Sequence, residues 1–111
     1  MKNSEIRKQT LPRIERLRLK TEIKRVFKEG RRKKYGKLTF IYLASDEQKT
    51  GFIASRNIGC AAKRNRVRRI LREAYRMNKE YFGGMITILY AEGLLTAEEV
   101  QRSISRFEEG R

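Results

Sequence analysis

The sequence contains no histidine and no tryptophan, and Asp46 is its single aspartate. A histidine- or aspartate-based nuclease site, a His-Glu-x-x-His zinc site and an acidic metal cluster therefore cannot be built from their usual residues. The other acidic residues are glutamates, which lie mostly beside basic residues. We predict no catalytic and no metal-ligating residue in this chain, and expect any metal-dependent chemistry to use metals held elsewhere.

Cysteine, proline and long apolar runs are scarce as well. Cys60 is the only cysteine, which excludes a disulfide framework and a cysteine-based metal site, and we interpret it as a small packing residue. No apolar run approaches the roughly 18 residues of a transmembrane helix, and the N-terminus lacks the apolar stretch of a signal peptide. We predict a cytoplasmic protein.

Positive charge is abundant and unevenly distributed. The 111 residues include 28 basic and 13 acidic side chains, for a net charge of +15. Residues 1–37 hold 15 basic and four acidic side chains, and residues 56–79 hold nine and one. Two such blocks in a chain long enough for one small domain are typical of nucleic-acid binding, with a membrane surface as the lesser alternative.

The second basic block has the periodicity of a helix. In Lys63–Arg76, KRNRVRRILREAYR, one arc is apolar at about 100° per residue. Arginines recur every four residues on a second stripe, although like charges at that spacing repel by a few tenths of a kcal/mol. A solvated basic face is the plain interpretation; a polyanion partner is favoured, because guanidinium groups bind phosphate with two hydrogen bonds. The predicted apolar arc is Val67, Ile70, Leu71 and Ala74, with Tyr75 at its edge, and the predicted stripe is Arg64, Arg68, Arg72 and Arg76, with Asn65 and Arg69 beside it.

The remaining pattern predicts alternating helices and strands. We expect residues 1–12 to form a mobile basic arm and residues 13–111 to form one RNA-binding domain. Thr21 is a possible N-cap and Gly30 a stop signal for the first helix, and Thr96 with Glu99 forms a capping box. The result is a two-layer α+β sandwich with its sheet of about four strands covered on one side. The predicted helices span residues 21–29, 61–78 and from 96 onward, and the strands span 38–44, 50–55 and 85–91, with a possible short edge strand within 30–37.

The segment Gly51–Arg76 resembles the signature of the bacterial ribonuclease P protein component. That family carries an Arg-Asn-Arg core, a basic pair and an Arg-Glu-Ala-aromatic tail, which correspond here to Arg64–Arg66, Arg68–Arg69 and Arg72–Tyr75. The resemblance implies a left-handed crossover around the arginine helix, whereas the general rule for such crossovers predicts a right-handed one.

The resemblance implies a small subunit of an endoribonuclease. It would bind ribonuclease P RNA and precursor tRNA and assist removal of the 5′ leader, with catalysis and Mg²⁺ supplied mainly by the RNA, and with no membrane or obligate protein partner. Asn57 stands where the family has a second basic residue, and Arg76 matches the motif less strictly. The residues that the resemblance assigns to catalytic-RNA binding are Arg56, Arg64, Asn65, Arg66, Arg68, Arg69, Arg72 and Arg76.

The resemblance also implies a cleft for the single-stranded leader between the first helix and the open sheet face. Aromatic platforms with a basic rim commonly hold single-stranded RNA. Ile23 and Phe27 occupy the family's two aromatic positions on the first helix, and the family's strand aromatic falls at or next to Ile41, which leaves the facing of Phe40 and Tyr42 open. Core packing is the alternative role for all five. The predicted cleft residues are Arg16, Arg18, Ile23, Phe27, Phe40, Ile41 and Tyr42.

Three other functions are compatible with parts of the sequence. A structural RNA-binding protein of ribosomal type is the alternative that composition alone would favour. A protein nuclease is disfavoured by the missing histidines, and a DNA-binding helix-turn-helix module is disfavoured by the strands that flank the arginine helix.

Overall fold

Within residues 20–110, the fold combines three helices with one four-stranded sheet, as predicted. The structure is a computed structural model that describes residues 20–110, so the predicted arm at 1–12 and the predicted cleft residues Arg16 and Arg18 lie outside the described residues. In chain order the elements are α1 (Lys20–Glu29), β1 (Arg31–Tyr35), β2 (Leu38–Ala44), β3 (Lys49–Ala54), a 3₁₀ turn (Arg56–Ile58), α2 (Ala61–Met77), a second 3₁₀ turn (Lys79–Phe82), β4 (Met85–Ala91) and α3 (Ala97–Glu109).

The sheet has the strand order β1-β2-β4-β3. The pairs β1/β2 and β2/β4 are antiparallel, whereas β3 and β4 are parallel. A parallel pair requires a crossover connection, and α2 lies within it. The crossover around the arginine helix is thus confirmed, and its left-handed sense stays a prediction. Strands β1 and β3 form the two edges of the sheet.

Helices α2 and α3 cover one face of the sheet over an aromatic core. Phe40 stacks on Phe107 with ring centroids 4.4 Å apart, and Phe82 lies 5.7 Å from Phe107. Tyr75, predicted at the edge of the apolar arc, is fully buried, whereas Ile70 is only half-buried. Burial of the Tyr75 phenol is possible because its oxygen accepts a hydrogen bond of 2.8 Å from Gln48 Nε2.

Helix α1 packs on the opposite face, so the prediction that the sheet is covered on one side only is wrong. Val26 contacts a small apolar cluster formed by Ile41, Ile86 and Ile88. The close approach depends on Gly30, whose N–H donates to Val26 O at 2.8 Å. A Cβ atom at this position would lie 2.5 Å from Val26 O and 2.8 Å from Tyr42 O.

Helix ends agree with the predictions at α3 and differ at α1. Thr96 and Glu99 form the predicted capping box. Thr21 lies within α1 rather than before it. The basic loop contains a full edge strand, β1, which joins β2 through Gly36 at φ 64°. In the part of the chain that the structure describes, no helix has the length and apolar character needed to cross a bilayer.

Candidate nucleic-acid interface

Burial of one side of α2 turns its arginines outward. Val67, Leu71, Ala74 and Tyr75 anchor the helix on the core, so the remaining arc of the helix faces solvent. The turn before the helix is held by the buried Ile58 and by Gly59, whose φ of 119° favours glycine. The arginine stripe is therefore presented on a rigid element.

Three of the arginines are oriented by contacts within the chain. Arg64 Nη1 donates to Gly59 O, and Arg68 Nη2 donates to Asn65 Oδ1 at 2.5 Å. The Arg72 guanidinium lies 5.8 Å from the centroid of the Phe52 ring, within cation–π distance. Because Asn65 uses its oxygen for Arg68, its side-chain amide remains available to donate to a ligand.

Arg66 and Arg69 differ from these three. Both side chains are exposed, and neither guanidinium has a hydrogen-bond or ion-pair partner within residues 20–110. Arg76 instead pairs with Glu73, and the pKa of Glu73 is lowered chiefly by its hydrogen bond with Arg76. The guanidinium groups of Arg66 and Arg69 are therefore available to bind a ligand, whereas that of Arg76 is already paired with Glu73.

The loop before α2 adds Arg56 and Asn57. Ser55 Oγ accepts the N–H of Asn57 at 3.1 Å, which caps the 3₁₀ turn. Both side chains are exposed, and the turn leads directly into the first turn of α2. Arg56 thus extends the arginine surface of α2, which comprises Arg56, Arg64, Asn65, Arg66, Arg68, Arg69, Arg72 and Arg76.

Cys60 is the N-cap of α2 and is exposed, so the prediction that it serves in packing is wrong. Its sulfur makes no capping hydrogen bond. The backbone N–H of Lys63 in the first turn nevertheless stabilises the thiolate and lowers the pKa of Cys60. A single exposed cysteine does not by itself form a catalytic or metal-binding site, and we assign Cys60 no function.

A second surface lies where α1 meets the sheet. Strand register places Lys34, Thr39, Tyr90 and Ile53 in one row across all four strands. Half-buried Ile23, Phe27, Ile53 and Tyr90 surround the apolar cluster beneath α1. Arg32 contacts the C-terminal end of α1. Its Nη2 donates to Phe27 O at 3.0 Å, and its guanidinium lies 5.6 Å from the centroid of the Phe27 ring. We call this surface the α1 cleft, with Ile23, Phe27, Ile53 and Tyr90 as its apolar lining and Arg32 and Lys34 as its basic rim.

The structure corrects part of the predicted cleft. Phe40 and Tyr42 face α3 and contact Phe107, with Phe40 fully buried, so the prediction that they line the cleft is wrong. Ile41 faces α1 but is 1% exposed, which makes it part of the floor. The cause is the two-residue period of a strand, which puts Phe40 and Ile41 on opposite faces.

The sequence-based predictions missed four residues of this cleft: Tyr90 and Ile53 in its lining and Arg32 and Lys34 at its rim. The alternation Ile86, Ile88, Tyr90 in β4 was a usable signal, because it puts a tyrosine with a polar tip on the face of α1. Its position opposite Thr39 and beside Ile53 required the strand register.

Metal-binding groups are sparse around these surfaces. Among residues 20–110, no three His, Cys, Asp or Glu side chains come together in a way that could hold a metal ion. The surfaces can therefore supply cationic and aromatic contacts, hydrogen-bond donors and shape.

Fold and charge together define a small basic α+β protein with one exposed arginine helix, the surface expected of a protein that faces a polyanion. The sequence profile of the ribonuclease P family, described as "Ribonuclease P", matches residues 11–108. The chain belongs to the ribonuclease P protein family.

Similar proteins agree with this assignment. The ribonuclease P protein component of Coprothermobacter proteolyticus is 35% identical over 85 residues, covering 76% of this chain and 71% of that protein. The component from Petrotoga mobilis is 40% identical over 76 residues, covering 67% and 64%. The structure of the Thermotoga maritima RNase P protein superposes with a TM-score of 0.65 at 28% identity, covering 86% and 89%. The Staphylococcus aureus RNase P protein shares the fold with a TM-score of 0.73 at 20% identity, covering 83% and 90%.

Proposed function

We propose that this chain is the protein subunit of ribonuclease P, which assists RNA-catalysed removal of the 5′ leader from precursor tRNA. The observation that carries the proposal is the presence of two different basic surfaces on one small body, the arginine surface of α2 and the α1 cleft. A purely structural RNA binder needs only the first of these. A subunit that positions a substrate against a catalytic RNA needs both.

The arginine surface of α2 is proposed to bind the catalytic RNA. Arg66 and Arg69 would contact phosphates directly, because no partner within residues 20–110 occupies their guanidinium groups. Arg64 and Arg68 are pre-oriented by Gly59 and Asn65, which lowers the entropy lost on binding. Bidentate contacts to phosphate suit RNA whose fold brings several phosphates onto one face.

The α1 cleft is proposed to bind the single-stranded leader. Phe27 and Tyr90 present half-buried rings, and Arg32 and Lys34 lie at the basic end of the cleft. Stacking on aromatic rings is worth about 1–3 kcal/mol per base and tolerates any sequence. That tolerance fits leaders, which differ from one precursor to the next.

The chemical contribution of the protein is proposed to be positioning and charge screening. Holding the leader and the catalytic RNA together fixes the scissile phosphate relative to Mg²⁺ ions that the RNA would hold. Screening the repulsion between two RNAs also favours binding of those ions. In this proposal the protein supplies no group that reacts with the phosphate.

Cleavage of a precursor tRNA by a bacterial ribonuclease P RNA at low Mg²⁺, with and without the protein, tests this function. We expect stimulation by the intact chain, no cleavage by the protein alone, and a loss of stimulation of about tenfold or more in an Arg66→Ala, Arg69→Ala variant. The matched control is Lys24→Ala, Lys28→Ala, which removes two positive charges from the exposed outer side of α1. Tight, salt-sensitive RNA binding without stimulation would contradict the proposal and favour the structural RNA binder.

A further inference from the structure

Strand β1 is an edge strand that is basic on both faces. Its register with β2 places Arg32 and Lys34 opposite Ile41 and Thr39, on the face of α1. Lys33 and Tyr35 pair with Phe40 and Leu38, on the face of α3. Positive charge therefore continues around this edge from the α1 cleft to the other side of the sheet.

On the α3 side the edge borders an open cavity of about 270 Å³. Arg102 and Arg106 are the two basic residues of α3; they lie one turn apart, are exposed, and line this cavity together with Tyr35 and Lys37. Neither guanidinium forms an ion pair or hydrogen bond with another residue in the range 20–110. An arginine pair facing two other donors in a concave site is suited to phosphate oxygens.

The surrounding contacts leave this cavity positively charged. Glu99 is the acidic residue in its lining, and its Oε1 accepts the N–H of Thr96 at 2.8 Å as part of the capping box. Lys37 donates to Leu94 O at 3.5 Å, and Lys33 donates to Gly110 O, so neither amine forms an ion pair with an acidic side chain within residues 20–110. Tyr35 adds a half-buried ring supported edge-on by Phe40 at 6.0 Å.

This cavity is separate from the arginine surface of α2. Helix α2 packs over β3, at the opposite edge of the sheet, and three strand spacings amount to roughly 14 Å. The cavity and the α1 cleft instead meet at the same edge strand: Tyr35 of β1 lines the cavity, and the cleft's row of Ile53, Tyr90, Thr39 and Lys34 ends at β1 on the other face. Lys34 pairs with Glu92 at 3.0 Å, but the two side chains are 57% and 40% exposed, and an ion pair exposed to solvent in this way contributes little and is readily displaced.

We propose that the β1–α3 cavity is a second subsite for single-stranded RNA. A strand bound in the α1 cleft passes Lys34, turns around the β1 edge, and places backbone phosphates on Arg102 and Arg106, with Tyr35 as a stacking surface. The subsite recognises the sugar-phosphate backbone and not the base sequence. This subsite depends on the proposed function in one respect: the proposed function identifies the bound strand as the distal part of a long 5′ leader.

Binding of single-stranded RNA to the full chain tests the subsite independently of cleavage. The probes are labelled oligonucleotides of about four and about 12 nucleotides, which bracket common site sizes, measured by fluorescence anisotropy. The variant is Arg102→Gln, Arg106→Gln, and the matched control is Lys24→Gln, Lys28→Gln, which removes the same charge at the same helical spacing. All four positions are exposed on helices, and unchanged thermal melting verifies folding.

We expect the arginine variant to bind the long RNA about three- to tenfold more weakly and the short RNA as the unaltered chain does, while the control variant changes neither. An equal loss for both RNA lengths, an equal loss in the control, or no loss would overturn the subsite. A length-dependent loss without stimulation of cleavage would keep the subsite and reject the proposed function. In the holoenzyme, the same variant should weaken binding of precursors with long leaders only.

Discussion

At the scale of single residues, the buried polar side chains fall into two groups, those with a hydrogen-bond partner and those without one. Tyr75 and Asn78 are buried but hydrogen-bonded, with Asn78 Nδ2 donating to Ala74 O at 2.7 Å. Thr50 and Thr87 are paired across β3 and β4, and both hydroxyls are buried without a partner among residues 20–110. An unsatisfied buried hydroxyl costs about 1–3 kcal/mol.

The same substitution should therefore have opposite effects at two threonines. Thr87→Val replaces an unpaired hydroxyl with a methyl group of similar size, and we expect the free energy of unfolding to rise by up to about 1 kcal/mol. Thr96→Val removes the capping oxygen that accepts the N–H of Glu99 at 3.2 Å, and we expect a loss of about 1 kcal/mol. Urea denaturation measures both; destabilisation by Thr87→Val would show that its hydroxyl is hydrogen-bonded in solution.

At the scale of elements, periodicity in the sequence was enough to place the three helices and the long strands of residues 20–110. The arginine helix was readily predicted, because its apolar residues and its charged residues lie on different sides of the helix. Faces of strands were harder to assign. The run 38–44 is apolar on both sides, so nothing local distinguishes Phe40, which packs under α3, from Ile41, which packs under α1. That choice depends on α1 lying across the sheet, a long-range contact with no local signal.

The crossing of α1 depends on a glycine, which gives a direct test. In Gly30→Ala the new Cβ would meet two backbone oxygens at 2.5 and 2.8 Å, and backbone cannot move aside as a flexible side chain would. We expect the free energy of unfolding to fall by about 1–3 kcal/mol and binding of single-stranded RNA in the α1 cleft to weaken with it.

Gly83→Ala is the matched control for this change. Gly83 has a φ of −66°, and a Cβ atom added there would have Glu80 O, 4.0 Å away, as its nearest neighbour. We expect the free energy of unfolding of this variant to stay within about 0.5 kcal/mol of that of the unaltered chain. If Gly30→Ala were equally harmless in thermal and urea denaturation, the close approach of α1 to β2 would be disproved.

At the scale of the whole molecule, positive charge is divided between surfaces at opposite edges of the sheet, which under the proposed function would contact different RNA segments at the same time. The arginine surface of α2 lies over the β3 edge, and the β1 edge carries the basic end of the α1 cleft. The sequence located the two basic blocks along the chain but not their separation across the sheet. That separation follows from the strand order β1-β2-β4-β3, which puts the first and third strands at opposite edges.

Salt dependence of binding distinguishes these surfaces. Each phosphate contact contributes roughly 0.7–0.9 to the slope of log K against log salt concentration, so Arg66→Ala, Arg69→Ala should reduce the slope for the ribonuclease P RNA by about 1.5. The same variant should leave the slope for a single-stranded oligonucleotide unchanged, because its side chains lie on α2. Filter binding at salt concentrations from about 50 to 400 mM, where phosphate contacts dominate the salt dependence of the binding constant, measures both slopes. A reduction shared equally by the two RNAs would mean that the chain acts as one diffuse positive body, and the division of RNA contacts between α2 and the α1 cleft would have to be abandoned.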